Sequence, residues 1–271
     1  MNKLILSALV AGAAFAGFMS AQIAQSAEAG STSITTPAQI SFLVTLAGSQ
    51  NDDNIQSRNP VVVELFTSQG CSSCPPADML ASRLAKDSSL LVITRPVTYW
   101  DRLGWKDTLA KEDNTRLQRA YAEKGLQGSG VYTPQMVVNG GGGAVGSREN
   151  DVRSLVRLAQ KASAPTIETS RDDSGQMIVT ISGKTRHMAG VSLIAMSSSE
   201  KVNVGRGENG GRILHYTNVV KAERNLGSWT GEPVSFVLNN QDINVYGADK
   251  YAIVVQQPGA GAIIGAKLLE I

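Results

Sequence analysis

Only two cysteines and two histidines occur among the 271 residues. A structural zinc site is usually four-coordinate, and His187 and His215 lie far downstream of Cys71 and Cys74. Neither a resident metal nor any other cofactor is therefore expected. Charge of one sign is also missing: 25 Lys and Arg face 23 Asp and Glu, a formal net charge of +2, which gives no electrostatic basis for binding nucleic acid or an anionic membrane. The N-terminal apolar run, residues 4–18 behind Lys3, is short for a membrane span. With Ala27-Glu28-Ala29 after it, it has the pattern of a secretory signal peptide ending in an A-x-A cleavage site. Residues 1–29 are expected to be removed, leaving a periplasmic or secreted protein that begins near Gly30 and is not embedded in a membrane.

What the chain does contain is its two cysteines side by side, in Val61-Val62-Val63-Glu64-Leu65-Phe66-Thr67-Ser68-Gln69-Gly70-Cys71-Ser72-Ser73-Cys74-Pro75-Pro76. A β-branched run, a Gly turn, a CxxC and a Pro opening an apolar-periodic stretch read as strand, loop, cysteine pair and helix. Cysteines so close together shut a very small loop and add little stability even in an oxidising compartment. The pair is therefore read as redox-active. Cys71 is the expected nucleophile, its thiolate favoured by the unpaired N–H groups and macrodipole of the helix N-terminus, and Cys74 the resolving thiol. Soft-metal binding by the same dithiol is a further reading.

Residues 30–59 are polar apart from an apolar patch at 40–47 and read as a flexible leader. From 60 to 164 the pattern alternates: a strand over 61–66, a helix with Ala77, Leu80, Ala81, Leu84 and Ala85 on one face, and a second strand over 90–94. Together they make a βαβ unit with a parallel, right-handed crossover. Residues 96–130 form an insertion with Trp100, Trp105 and a helix over 111–124. A third strand over 131–139 is interrupted by Pro134, residues 140–143 make a flexible turn, and Asn150 caps a last helix carrying Val152, Leu155, Val156 and Ala159. Beyond Pro165, strand-like runs at 177–182, 191–196, 213–221, 234–238, 251–256 and 262–269 predict an all-β, sandwich-like domain over 165–271. Arg206-Gly207-Glu208-Asn209-Gly210-Gly211-Arg212 reads as a Gly-rich hairpin loop, and His215 after it as a cross-strand partner.

The stretch from Val63 to Cys74 resembles the active-site segment of glutaredoxins and thioredoxins, and Thr133-Pro134-Gln135-Met136-Val137-Val138-Asn139-Gly140 resembles the cis-proline strand of that superfamily. The resemblance implies an α/β thioredoxin-like domain over 60–164. It also implies a cis Pro134 facing the cysteines and a Thr133 backbone that pairs with an extended substrate segment. Thioredoxins carry a buried proton-moving acid near the place of Glu64, which implies proton transfer there; the alternative is a strand-end carboxylate in water. The glutaredoxin Gly-Gly-x-x-Asp has only a partial counterpart in Gly146-Ser147-Arg148-Glu149-Asn150, so glutathione use is not implied. Through Val97-Thr98-Tyr99-Trp100-Asp101, Gly104-Trp105-Lys106-Asp107, Arg206-Gly207-Glu208-Asn209 and Asn218-Val219-Val220-Lys221, most of the mature chain resembles an exported bacterial family known as a domain of unknown function (DUF1223). That likeness implies fold and compartment but no reaction.

The expectation is thus an exported thiol-disulfide oxidoreductase acting on protein thiols or disulfides, with a separate electron-donor protein. Trp100 and Trp105, with Tyr99, would wall a groove for extended polypeptide, or else cover the core; Arg102, Lys106 and Asp107 read as a solvated rim. The alternative is a non-enzymatic binding module whose dithiol is a redox-sensitive latch.

Overall fold

The computed structural model describes residues 59–128 and 130–271; the expected signal peptide and all but the last residue of the expected leader lie outside them. The β-branched run becomes strand β1 (Val61–Thr67), buried along its whole length. Helix α1 (Pro75–Leu84) follows, then strand β2 (Leu90–Pro96), which pairs parallel to β1 from Val61↔Leu90 to Thr67↔Pro96. Ala77, Leu80, Ala81 and Leu84 pack on Val63 and Leu65, each large aliphatic side chain contributing roughly 1.5–3 kcal/mol by leaving water. Alternation along β1 sends Val62, Glu64 and Phe66 to the opposite face.

Between β2 and β3 (Gln135–Val138) the chain forms a short 3-10 turn at Asp101–Leu103 and helix α2 (Glu112–Glu123). The inward face of α2 is mostly polar. Asn114 donates to Pro96 O, Thr115 accepts from the Thr98 N–H, and Gln118 donates to Tyr132 O and Gln135 Oε1. Its apolar anchor is Tyr121, edge-on to Phe66. β3 pairs antiparallel with β1 and with β4 (Gly142–Val145), and α3 (Glu149–Ala159) returns Val152 and Val156 to the α1 side. Arg148, not the expected Asn150, stands at the N-cap of α3, and the second half of the expected 140–143 turn, Gly142 and Gly143, belongs to β4.

All described elements after α3 are strands: β5 (Thr166–Arg171), β6 (Met177–Ser182), β7 (Ala189–Asn203), β8 (Ile213–Trp229), β9 (Val234–Leu238), β10 (Lys250–Gln256) and β11 (Ile263–Leu269). The expected plan of a thioredoxin-like α/β domain with a helical insertion, followed by a separate all-β sandwich, is not what they build. Among the described residues the fold is mostly β, with three α-helices beside one mixed eight-stranded sheet in the order β11-β10-β7-β8-β2-β1-β3-β4, and a three-stranded sheet β5-β6-β9.

The physical reason lies in β7 and β8, which are 15 and 17 residues long. Residues 193–197 are buried in succession, so this part of β7 is covered on both faces, as a strand interior to a large sheet is. Ile194, Met196, Val220, Ala252 and Val254 join Val62, Leu91 and Ile93 in one apolar layer. The β2–β8 seam has the single register pair Thr94↔Val219 and is stitched by side chains, with Thr94 Oγ1 donating to Thr217 O (2.6 Å) and Asn218 Nδ2 to Val92 O (2.9 Å). The small sheet packs Ile167, Val179 and Ile181 against Val191, Leu193 and Ile253.

Candidate redox site

Cys71 and Cys74 form a disulfide, with Cα atoms 5.4 Å apart, where β1 runs into α1. A tight turn sets it up: the Gly70 N–H donates to Ser68 Oγ (3.1 Å) and the Cys71 N–H to Ser68 O (3.2 Å). Gly70 lets Trp100 pack closely, since a Cβ there would lie 3.2 Å from the Trp100 Cβ. Cys74 is the N-cap of α1, followed by Pro75 and Pro76. Those prolines have no N–H, and the next two amides, Ala77 and Asp78, both donate to Cys74 O. The helix end thus offers a neighbouring sulfur its dipole but no free amide. Instead the hydroxyl of Ser73 stands 3.4 Å from Cys71 Sγ.

The other expected site residues divide. Trp100 and Trp105 come to the cysteine loop: Trp100 Nε1 donates to Thr133 Oγ1 (2.8 Å), and Trp105 Nε1 to Gln69 Oε1 (2.9 Å). The Thr133–Pro134 peptide is cis, and Pro134 is buried beside Gly146, whose open side also meets Ala77 of α1 and Leu65 of β1. Glu64 is not in water. It lies 1% exposed on the face of β1 turned away from α1, accepting from Arg95 Nε and from the Tyr121 hydroxyl, each at 2.6 Å. Arg95 also pairs with Glu223 at 3.0 Å.

Asp107 is buried rather than on a solvated rim. Its carboxylate accepts the N–H groups of Gln69, Leu109 and Ala110. Burial raises its pKa, and the Gln69 and Leu109 amides oppose the rise. Asp78 went unnoticed in the sequence because a carboxylate in a first helical turn reads as an ordinary dipole partner. It lies one turn beyond Cys74 in α1 and accepts from Thr67 Oγ1 (2.8 Å), while its other oxygen has no partner. Burial pushes its carboxyl up to about 8 against the Thr67 hydrogen bond, with Asp107 adding to the rise. The Tyr216 hydroxyl, also buried without a partner, is pushed up by burial and by both carboxylates. Burial thus favours the protonated form of the Asp78 carboxyl at neutral pH, one helical turn beyond Cys74.

The hairpin loop between β7 and β8 reaches the same place from the far end of the sequence. Asn209 Nδ2 donates to Gln69 O (3.0 Å) and Cys71 O (2.9 Å), and Glu208 Oε2 accepts the Ser72 N–H (3.0 Å). Two clefts of about 490 and 470 Å³, lined by Lys124, Arg186 and His187 and by Arg95, Lys111 and Lys221 respectively, involve none of residues 69–76. Among the described residues no cluster of three or more His, Cys, Asp or Glu could hold a metal ion, and no helix is long and apolar enough to cross a membrane.

The family model described as Protein of unknown function (DUF1223) matches residues 62–256. A crystal structure of a protein from Agrobacterium tumefaciens is 27% identical with a TM-score of 0.67, the match covering 77% of this chain and 93% of that one. HBP35 of Porphyromonas gingivalis is 12% identical with a TM-score of 0.50, over 79% and 76% of the two chains, a likeness of fold alone. No curated protein matches the chain.

Proposed function

The chain belongs to the family described as Protein of unknown function (DUF1223), a name that assigns no activity, and from its site we propose an exported thiol-disulfide oxidoreductase acting on protein thiols. The observation that carries this is the Cys71–Cys74 disulfide with its sequence separation of 3, placed at the start of α1. On the chain-entropy model so short a loop is worth only about 2 kcal/mol, against about 4.7 for a loop of a hundred residues. Bracing the fold is a poor use for it.

The exchange balances as follows. A substrate thiolate attacks Cys71 Sγ, the S–S bond breaks, and Cys74 Sγ leaves as a thiolate. That thiolate takes up a proton, for which the neutral Asp78 carboxyl one helical turn on would serve if the opened pair brings the two together. A second substrate thiolate then displaces Cys71, so the substrate dithiol is oxidised by two electrons and the cysteine pair reduced by two. Trp100, Trp105, Thr133 and Pro134 form the surround against which an extended polypeptide would lie. A partner protein exchanging electrons resets the pair, and its potential fixes the direction of flow. The signal-peptide pattern supports a periplasmic or secreted location, where such exchange operates.

The burial of both cysteines supports a second reading, a binding module whose disulfide is a redox-sensitive latch. Trapping separates the two. Cys74→Ala should leave Cys71 joined as a stable mixed disulfide to an unfolded model protein that still carries its disulfides, one substrate sulfur leaving as a thiolate; if that adduct does not form, while the unaltered protein binds the same polypeptide without exchange, the latch is favoured.

A further inference from the structure

Cys71 and Cys74 are both 0% exposed, whereas Ser72 and Ser73 between them face solvent. A thiolate attacks a disulfide along the S–S axis, so a pair with no exposed surface cannot react as it stands. Against the main chain of residues 69–72 lies the loop over residues 204–212. Asn209, itself 0% exposed, spends both its amide hydrogens on Gln69 O and Cys71 O, and Arg212 Nη1 holds its Oδ1 at 2.8 Å. Glu208 takes the Ser72 N–H. On the other side the loop backbone rests on Trp105: a Cβ at Gly205 would lie 2.9 Å from the indole, and one at Gly207 3.3 Å from the Trp105 Cβ. Gly207 and Gly211 turn the loop at φ of +79° and +78°, where glycine is favoured. Its own bonds, Gly211 N–H to Val204 O (2.7 Å) and Val204 N–H to Arg212 O (2.9 Å), keep it one piece.

We propose that residues 204–212 are a displaceable cover over the Cys71–Cys74 disulfide, latched by Asn209, which an extended polypeptide opens by taking over the main-chain groups of residues 69–72. This rests on the reading of the pair as an exchange site and adds how that site is reached and by what. The cover touches the loop almost wholly through main-chain carbonyls and an amide. An extended chain carries the complementary amides and carbonyls at every residue; a small thiol does not. A small thiol must wait for the cover to open unaided, and a polypeptide thiol competes for the bonds that hold it shut.

The test is the rate at which the Cys71–Cys74 disulfide of the full chain is opened by two probes, dithiothreitol and reduced, unfolded ribonuclease, with folding checked by circular dichroism. Losing two buried amide hydrogen bonds shifts an opening equilibrium by about ten- to a hundredfold, so Asn209→Ala should be reduced faster by dithiothreitol by that factor, and exchange with ribonuclease thiols should change far less. Glu208→Ala, at an exposed position that does not threaten folding, should give a smaller acceleration in the same sense. Dithiothreitol rates unchanged in both variants would overturn the cover. Equal acceleration of both probes would overturn its displacement by polypeptide. Faster reduction by dithiothreitol with no ribonuclease exchange in either protein would uphold the cover and sink the oxidoreductase reading.

Discussion

Replacing Glu64 with Gln separates a structural carboxylate from a proton-transferring one. Glu64 is buried between Arg95 and Tyr121 at 2.6 Å from each, and Arg95 is only 4% exposed. Removing one partner of such a pair leaves a charge in low dielectric and typically costs about 3–5 kcal/mol. Arg95 keeps Glu223 at 3.0 Å and Asn114 at 3.4 Å, so a loss of about 3 kcal/mol, at the lower end, is expected. At roughly 2–4 °C per kcal/mol for a chain of this size, Tm should fall by about 6–12 °C. The assay is thermal unfolding followed by circular dichroism, with exchange rates measured well below the transition. Those rates should stay within about twofold of the unaltered protein, because Glu64 lies on the face of β1 away from α1. A Tm change under about 2 °C would refute the reasoning on burial, and a large loss of exchange in folded Glu64→Gln would return Glu64 to the site. Changing Glu64 and Arg95 together to Met should cost less than Glu64→Gln alone, since no buried charge is then stranded between them.

Asp78 gives a pH dependence of fixed sign. Its carboxyl is pushed from 3.8 up to about 8, so between these values the folded protein keeps a proton that the unfolded chain has released. Its contribution to stability therefore falls as pH rises from about 4 to about 8 and is flat outside that window. Asp78→Asn removes this penalty, and its Tm relative to the unaltered protein should improve across the same window; a difference that does not vary with pH would count against a buried protonated acid. Ser73→Ala should raise the pKa of the reduced Cys71 thiol by about one unit, since a hydroxyl donor to a thiolate is lost. Alkylation of Cys71 against pH reads this, with Cys74 labelled more slowly throughout, and an unmoved profile would show that the hydroxyl does not support the thiolate.

The local elements were legible because each rests on short-range pattern. The βαβ unit followed from the β-branched run, Pro75 and the Ala77/Leu80/Ala81/Leu84 face, and the cysteine loop from Gly70 and the CxxC. Sheet membership was not legible. Whether residues 191–196 and 213–221 pair with each other in a second domain or extend the first sheet depends on long-range pairing such as Thr94 with Val219, which leaves no periodicity in either segment. The buried apolar succession around Leu193 was the available hint of an interior strand. At the site, Trp100 and Trp105 reach Gly70 and Gln69 of the cysteine loop and Thr133 bonds to Trp100, while Glu64, read as a strand-end carboxylate in water if not a proton-transfer group, is buried mid-strand on the face of β1 away from α1. Asp78 and Ser73 carried no signal, and Asn209 was marked only as part of the family-like Arg206-Gly207-Glu208-Asn209 run: a first-turn acid, a Ser between cysteines and an Asn in a Gly-rich loop are all common, and their surroundings arise only when distant segments meet.

The central claim, exchange of the Cys71–Cys74 pair with protein disulfides, is tested most directly by turnover: catalysed reduction of insulin by dithiothreitol with the protein in substoichiometric amount, run in the unaltered background and in Asn209→Ala. The account predicts acceleration in both, greater in Asn209→Ala and abolished in each by Cys71→Ser. Insulin reduction at the uncatalysed rate, even by an Asn209→Ala protein whose own disulfide dithiothreitol opens readily, would contradict it.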